Sequence, residues 1–252
     1  MVNKKIILGK MENVTTYNLH VGDQINIFVV CMPSRKKYIT NVLQKQGIFN
    51  FILVDAVDGK KLGENTMQNL LIEKTGKSWF IPYNHKVSEK HLGAMGCFLS
   101  HHKALELAGD HQAIILEDDV IFNYNAISTS VEIPPLALIV YLGGWRTYKY
   151  MCHEDIGLND FKTKKLIKNL DDPFPKIKKS IKQYGTYAYY CSNPKSILEY
   201  MKKFRPRSLD CWYINHIQHK YSCYYYNPSL ISHNNDMLST IDKDGKYRKV
   251  CK

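Results

Sequence analysis

Residues Ile25 to Met32 read INIFVVCM, an unbroken apolar and largely β-branched run. A run with no polar face suits a strand covered on both sides, as in a parallel sheet flanked by helices. Pro33 and Ser34 break the run, and Arg35 to Gln46 then set Tyr38, Ile39, Val42 and Leu43 on one face of a helix. Phe49 to Val54 is a second apolar strand. Strand, helix and strand within about 30 residues make a βαβ unit, so the expected class is α/β with a mostly parallel central sheet between helices.

The same reading carries down the chain. A short helix is expected around Thr66 to Thr75, a buried helix over Ala94 to Ala108, and strands over Ala113 to Leu116 and Ala137 to Leu142. Residues 153–182 read as a loop region, with Lys176 to Lys182 open between loop and solvated helix face. Tyr184 to Cys191 returns to strand character. Asn193 and Pro194 cap a helix running to about Phe204. Asp210 to Lys220 reads as helix and Tyr221 to Tyr226 as strand. The organisation expected is an N-terminal arm over 1–24, a single domain over 25–241 and a basic tail over 242–252.

Thirty-five basic against 23 acidic residues give a formal charge of +12, which favours anionic partners. A lysine-rich solubilising surface explains the same charge. The seven cysteines are odd in number and form no C-x-x-C pair, so they read as mainly reduced thiols in a cytoplasmic, disulfide-free protein. No run reaches the roughly 18 to 20 apolar residues of a membrane span. Peripheral contact with an anionic membrane through the lysines remains open.

Chemistry concentrates in AIILEDDVIF, Ala113 to Phe122, which sets Glu117, Asp118 and Asp119 at the carboxyl end of an apolar strand. That edge is where ligands bind in open α/β sheets. Adjacent carboxylates repel unless a cation or solvent offsets them, and an all-oxygen set suits Mn²⁺ or Mg²⁺. The plain alternative is an acidic surface turn. His101 and His102 follow Ser100 on the buried helix. His101 reads first as a packed core residue and second as a ligand, and His102 as partly exposed.

The stretch GAMGCFLSHHKALELAGDHQAIILEDD, Gly93 to Asp119, resembles the centre of glycosyltransferase family 25, whose members include lipopolysaccharide and collagen hydroxylysine galactosyltransferases. Ala56-Val57-Asp58-Gly59 is similar to the family's A-V-D-G element, and Gly185 to Tyr189 to its G-x-x-A-Y strand. Leu209-Asp210, Asn227-Pro228 and Ser239-Thr240-Ile241 resemble later elements in the same order. The chain departs at Ala94, where the family has glutamate, and in Val30 to Arg35, where it has I-N-L-x-R.

The resemblance implies a glycosyltransferase A-type fold acting with inversion. The implied donor is a UDP-sugar, UDP-galactose first and UDP-glucose second, and the implied acceptor is a glycan or hydroxylysine hydroxyl. Glu117 and Asp119 would hold the cation, with His233 as a further metal or phosphate contact. Asp58, Glu117 and Asp118 would face the donor. Asp210 is the candidate base, with Asp58 next. The plain alternatives are a helix-capping Asp210 and a loop His233. Nucleic acid is not expected as a partner. The competing classes are an anionic-surface or nucleic-acid binding module, hinted at by Tyr224-Tyr225-Tyr226, a metal-dependent phosphohydrolase, and an inactive family member.

Overall fold

A computed structural model of the chain describes residues 15–18, 25–80, 86–124, 130–144, 176–179 and 182–234. Ser239 to Ile241 and the basic tail lie outside them, as does the arm except for Thr15–Asn18, which forms β1. A central sheet carries the fold. It contains β2 (Asn26–Cys31), β3 (Ile52–Asp55), β4 (Ala113–Glu117), β7 (Ile139–Tyr141), β8 (Lys176–Lys179), β9 (Ala188–Cys191) and β10 (Cys223–Asn227). Their order across the sheet is β3-β2-β4-β9-β7-β10-β8. β9 and β8 run against the other five, so the sheet is mostly parallel, as expected, with two reversed strands.

Alternate residues of β4 explain why its sequence shows no polar face. Ala113 and Ile115 pack into one core, and Ile114 and Leu116 into the other. The first core is covered by α3 (Glu64–Thr75), α4 (Glu89–Ala108), α5 (Pro194–Lys203) and α6 (Leu209–Tyr213). On the second face lies α1 (Lys36–Lys45), through Ile39 and Leu43. At about 25 cal/mol per Å² of apolar surface, this two-sided burial is the main stabilising term. By the same alternation Glu117 falls on the α4 side of the sheet.

Two glycines let α4 come close to the segment after β3. A Cβ on Gly96 would stand 2.3 Å from the Val57 carbonyl oxygen, and one on Gly59 would stand 1.9 Å from that of Leu92. Ser100 Oγ accepts from the Val57 N–H at 2.8 Å in the same seam. The contact fixes α2 (Gly59–Leu62) and Asp58 beside the carboxyl end of the sheet.

Two smaller pairings complete the description. β1 pairs antiparallel with β6 (Ser130–Ile133), and β5 (Val120–Phe122) pairs antiparallel with β11 (Ile231–His233).

Three sequence expectations need correction. Lys176–Lys179 is neither loop nor helix face but an edge strand, where lysines discourage further pairing. His102 is buried, not partly exposed, because α4 is enclosed by α3, α5 and the sheet. Cys211 is disulfide-bonded, so the chain is not disulfide-free, although Cys31, Cys97, Cys191 and Cys223 are free. Among the described residues no helix is long and apolar enough to cross a membrane.

Candidate active site

The register of the three adjacent parallel strands sets Val30 beside both Val54 and Glu117, so their carboxyl ends finish together. A pocket opens at that edge, walled by Met32, Ala56 to Lys60, Gly93, Cys97, Ser100, His101, Glu117 and Asp118. Asp58 forms part of the wall and also caps α2, its Oδ1 accepting from the Lys61 N–H at 3.2 Å.

The three acidic residues after β4 have three different environments. Glu117 Oε1 meets His101 Nε2 at 3.1 Å, and the other His101 nitrogen meets the Tyr189 hydroxyl at 3.1 Å. Burial pushes the Glu117 carboxyl up, and His101 pulls it back. Asp118 is ion-paired with Arg35 at 2.9 Å and accepts the Met32 N–H at 2.7 Å. Burial raises Asp118 against those two donors. Asp119 Oδ2 meets His233 Nε2 at 2.9 Å, with Arg35 at 3.8 Å.

The second Asp119 oxygen is the unusual atom. Oδ1 is buried and accepts no hydrogen bond among the described residues. An anionic oxygen withheld from water without a donor is costly, and a hard cation is the group that best offsets it. The Asp119 carboxylate and the His233 nitrogen beside it are donors of a kind that suits a divalent metal.

β11 makes His233 part of the site. Its pairing with β5 sets His233 opposite Val120, one residue beyond Asp119. Asn234 extends the contact: its N–H donates to the Asp119 carbonyl at 2.6 Å, and its Nδ2 to the Tyr38 hydroxyl at 2.9 Å.

Asp210 approaches from α6 and does not cap it; Ser208 occupies the cap position. Asp210 Oδ1 instead accepts from the Gly185 N–H at 3.1 Å, the Thr186 N–H at 2.9 Å and the Thr186 hydroxyl at 2.9 Å. Burial raises this carboxyl and the three donors lower it. Its charge is felt at Glu117, which puts both carboxylates in one electrostatic unit.

Sequence reasoning had not assigned Arg35 and Tyr189 to the site. Arg35 stood in the segment that departs from the family pattern, and Tyr189 inside an element read only as a strand. Of the expected residues, Asp119 and His233 come together, Glu117 pairs instead with His101, Asp58 and Asp118 line the pocket with Glu117, and Asp210 joins through its charge.

A protein-family model described as Glycosyltransferase family 25 (LPS biosynthesis protein) matches residues 24–218. The chain belongs to glycosyltransferase family 25. No curated protein matches it. The matched span of this glycosyltransferase includes the pocket, the acidic triplet and Asp210, and it ends before β11. His233 thus enters the site from outside that span. As a family 25 glycosyltransferase with an α/β fold of the glycosyltransferase A type, the protein has a sugar donor and an acceptor to accommodate.

Proposed function

We propose that the chain is an inverting, metal-dependent hexosyltransferase that moves galactose, with glucose second, from a UDP-sugar to a hydroxyl of a glycan or hydroxylysine acceptor. The observation that carries this reading is Asp119, a buried carboxylate with one oxygen on His233 and the other without a donor among the described residues. Glu117, Asp119 and His233 would hold Mn²⁺ or Mg²⁺, which supplies positive charge against a diphosphate as it departs.

The remaining roles belong to the chain's own groups. Asp58 and Asp118 face the donor from the pocket wall. Arg35 holds Asp118 in place through the 2.9 Å pair and keeps the triplet's repulsion in check. Asp210 acts as the base: three donors fix Oδ1, and Oδ2 takes the proton of the acceptor hydroxyl. As that oxygen bonds to the anomeric carbon, the bond to the diphosphate breaks and UDP leaves with the electron pair. One base on the face opposite the leaving group gives inversion. Burial raises the Asp210 carboxyl from its ordinary value, which makes it a better proton acceptor.

The family description supports a lipopolysaccharide-type saccharide as the first acceptor to test. The +12 charge supports peripheral contact with an anionic membrane.

The test is an assay of UDP release and sugar transfer from UDP-galactose and UDP-glucose, with saccharide and hydroxylysine peptide acceptors. Chelation should abolish transfer, and Mn²⁺ or Mg²⁺ should restore it. Full activity in excess chelator ends the metal reading, and inertness toward both donors ends the donor reading.

A further inference from the structure

Cys97 and His101 lie four residues apart on α4, so their side chains share one helix face. Both line the pocket where Glu117 ends β4. One ligand atom from each of Cys97, His101 and Glu117 lies within 4.8 Å of the others. We propose that Cys97, His101 and Glu117 form a binding site for a borderline-soft transition metal of the Zn²⁺ class, separate from the hard-cation role of Asp119. The binding stands on geometry alone; its effect on catalysis rests on the function proposed above.

The donor chemistry is the first support. A thiolate, an imidazole and a carboxylate together select Zn²⁺ or Co²⁺ over Mg²⁺ and Mn²⁺. Spacing is the second. Ligand atoms around a tetrahedral Zn²⁺ stand about 3.3–3.8 Å apart, given bonds of about 2.0–2.3 Å. The His101 to Glu117 distance is 3.1 Å and the whole set is within 4.8 Å, so side-chain adjustment without backbone movement closes it.

The groups behind the ligands agree. With Nε2 on the metal, His101 donates its Nδ1–H to the Tyr189 hydroxyl, which stands 3.1 Å away. The Tyr213 hydroxyl donates to the same oxygen at 3.3 Å, and a hydroxyl has two lone pairs for the two donors. The Tyr189 ring also stacks on His101, with centroids 5.8 Å apart and planes 15° from parallel. A histidine ligand held through its second nitrogen is the usual design of such sites. Burial chiefly, and then the Glu117, Asp210 and Asp119 charges, push the Cys97 thiol up, and a bound cation would offset those charges.

Binding would release the Cys97 thiol proton to solvent, leaving the thiolate on the metal. It would also engage Glu117, which the hard cation needs. Zn²⁺ would then inhibit transfer supported by Mn²⁺.

Co²⁺ titration of the metal-free full chain tests the site directly. A thiolate-to-cobalt charge-transfer band should saturate at one equivalent and disappear when Zn²⁺ is added. Cys97→Ser should abolish the band and weaken Zn²⁺ binding at least about 100-fold. Tyr189→Phe should keep the band but weaken binding about 10–100-fold. Asp119→Asn should keep the band. Circular dichroism checks that each variant is folded.

A folded wild-type chain without the band, or a band that survives Cys97→Ser, overturns the site. A band lost in Asp119→Asn assigns the metal elsewhere and overturns it too. Zn²⁺ that binds without inhibiting overturns the shared use of Glu117. A chain that binds Co²⁺ through Cys97 but transfers no sugar supports the site and removes only the proposed function.

Discussion

Replacing Arg35 with Gln should expose how the acidic triplet is tolerated. Arg35 Nη1 lies 2.9 Å from Asp118 and 3.8 Å from Asp119, and the side chains are 15% exposed for Arg35 and 8% for each aspartate. Breaking a buried ion pair by removing one partner costs about 3–5 kcal/mol, because the other charge is stranded. Asp118 would keep the Met32 N–H at 2.7 Å, which argues for the lower end, about 3 kcal/mol. In a chain of this size that is a fall of about 6–12 °C in Tm.

The pH dependence gives the sharper check. Burial already raises the Asp118 pKa from its ordinary 3.8, and Arg35 opposes the rise. Without Arg35 the folded pKa climbs further, so the folded variant gains protons at a higher pH than the wild type does. A raised pKa contributes stability that is present at low pH and lost as pH rises through the folded value. The deficit of Arg35→Gln should therefore be largest at neutral pH and shrink on acidification. Urea unfolding at a series of pH values measures it, and Arg35→Gln/Asp118→Asn should recover most of the loss. A loss below about 1 kcal/mol at neutral pH, or one that grows toward acid, would refute the reasoning.

Asp210→Asn retains the Oδ1 acceptor and should fold normally, yet lose about 10²–10⁴-fold in turnover with donor affinity unchanged; near-wild-type turnover would pass the base role to another carboxylate, Asp58 first. Asp119→Asn should weaken donor binding and turnover together, and an isolated change in either one would count against its metal role. Glu117→Gln removes a carboxyl that burial raises, so it should increase Tm at neutral pH and change little at acid pH; an equal shift at both would contradict this sign. Gly96→Ala forces a Cβ against the Val57 carbonyl and should cost about 1–3 kcal/mol in denaturant unfolding, with near-wild-type stability as the refuting result.

What the sequence made legible was governed by local pattern. INIFVVCM and AIILEDD declared buried strands because burial on both faces removes the polar alternation, and the triplet's position after IIL put it at a ligand-binding edge. Strand direction has no such signature. Tyr184 to Cys191 reads as strand in either sense, and only the pairing of β9 between β4 and β7 shows that it runs backward. A lysine-rich segment such as 176–182 suits solvent, a trait that an edge strand and a loop share. His102 was misread because α4 buries more than one side, so no helical stripe separates inside from outside. The partners of the triplet come from far along the chain: Arg35 is 83 residues from Asp118, and no local pattern encodes that pairing.

The β5–β11 pairing also sets a clock on synthesis. Asp119 leaves the ribosome 115 residues before Asn234, by subtraction of their positions. At about 5–20 residues per second that is an interval of about 6–23 s. Throughout it, the nascent chain already holds Arg35, α4 and β4 but lacks the strand that brings His233 to Asp119. The acidic cluster is thus left unfinished until β11 has been made, so a truncated product ending before β11 should keep much of its core and lack a completed site.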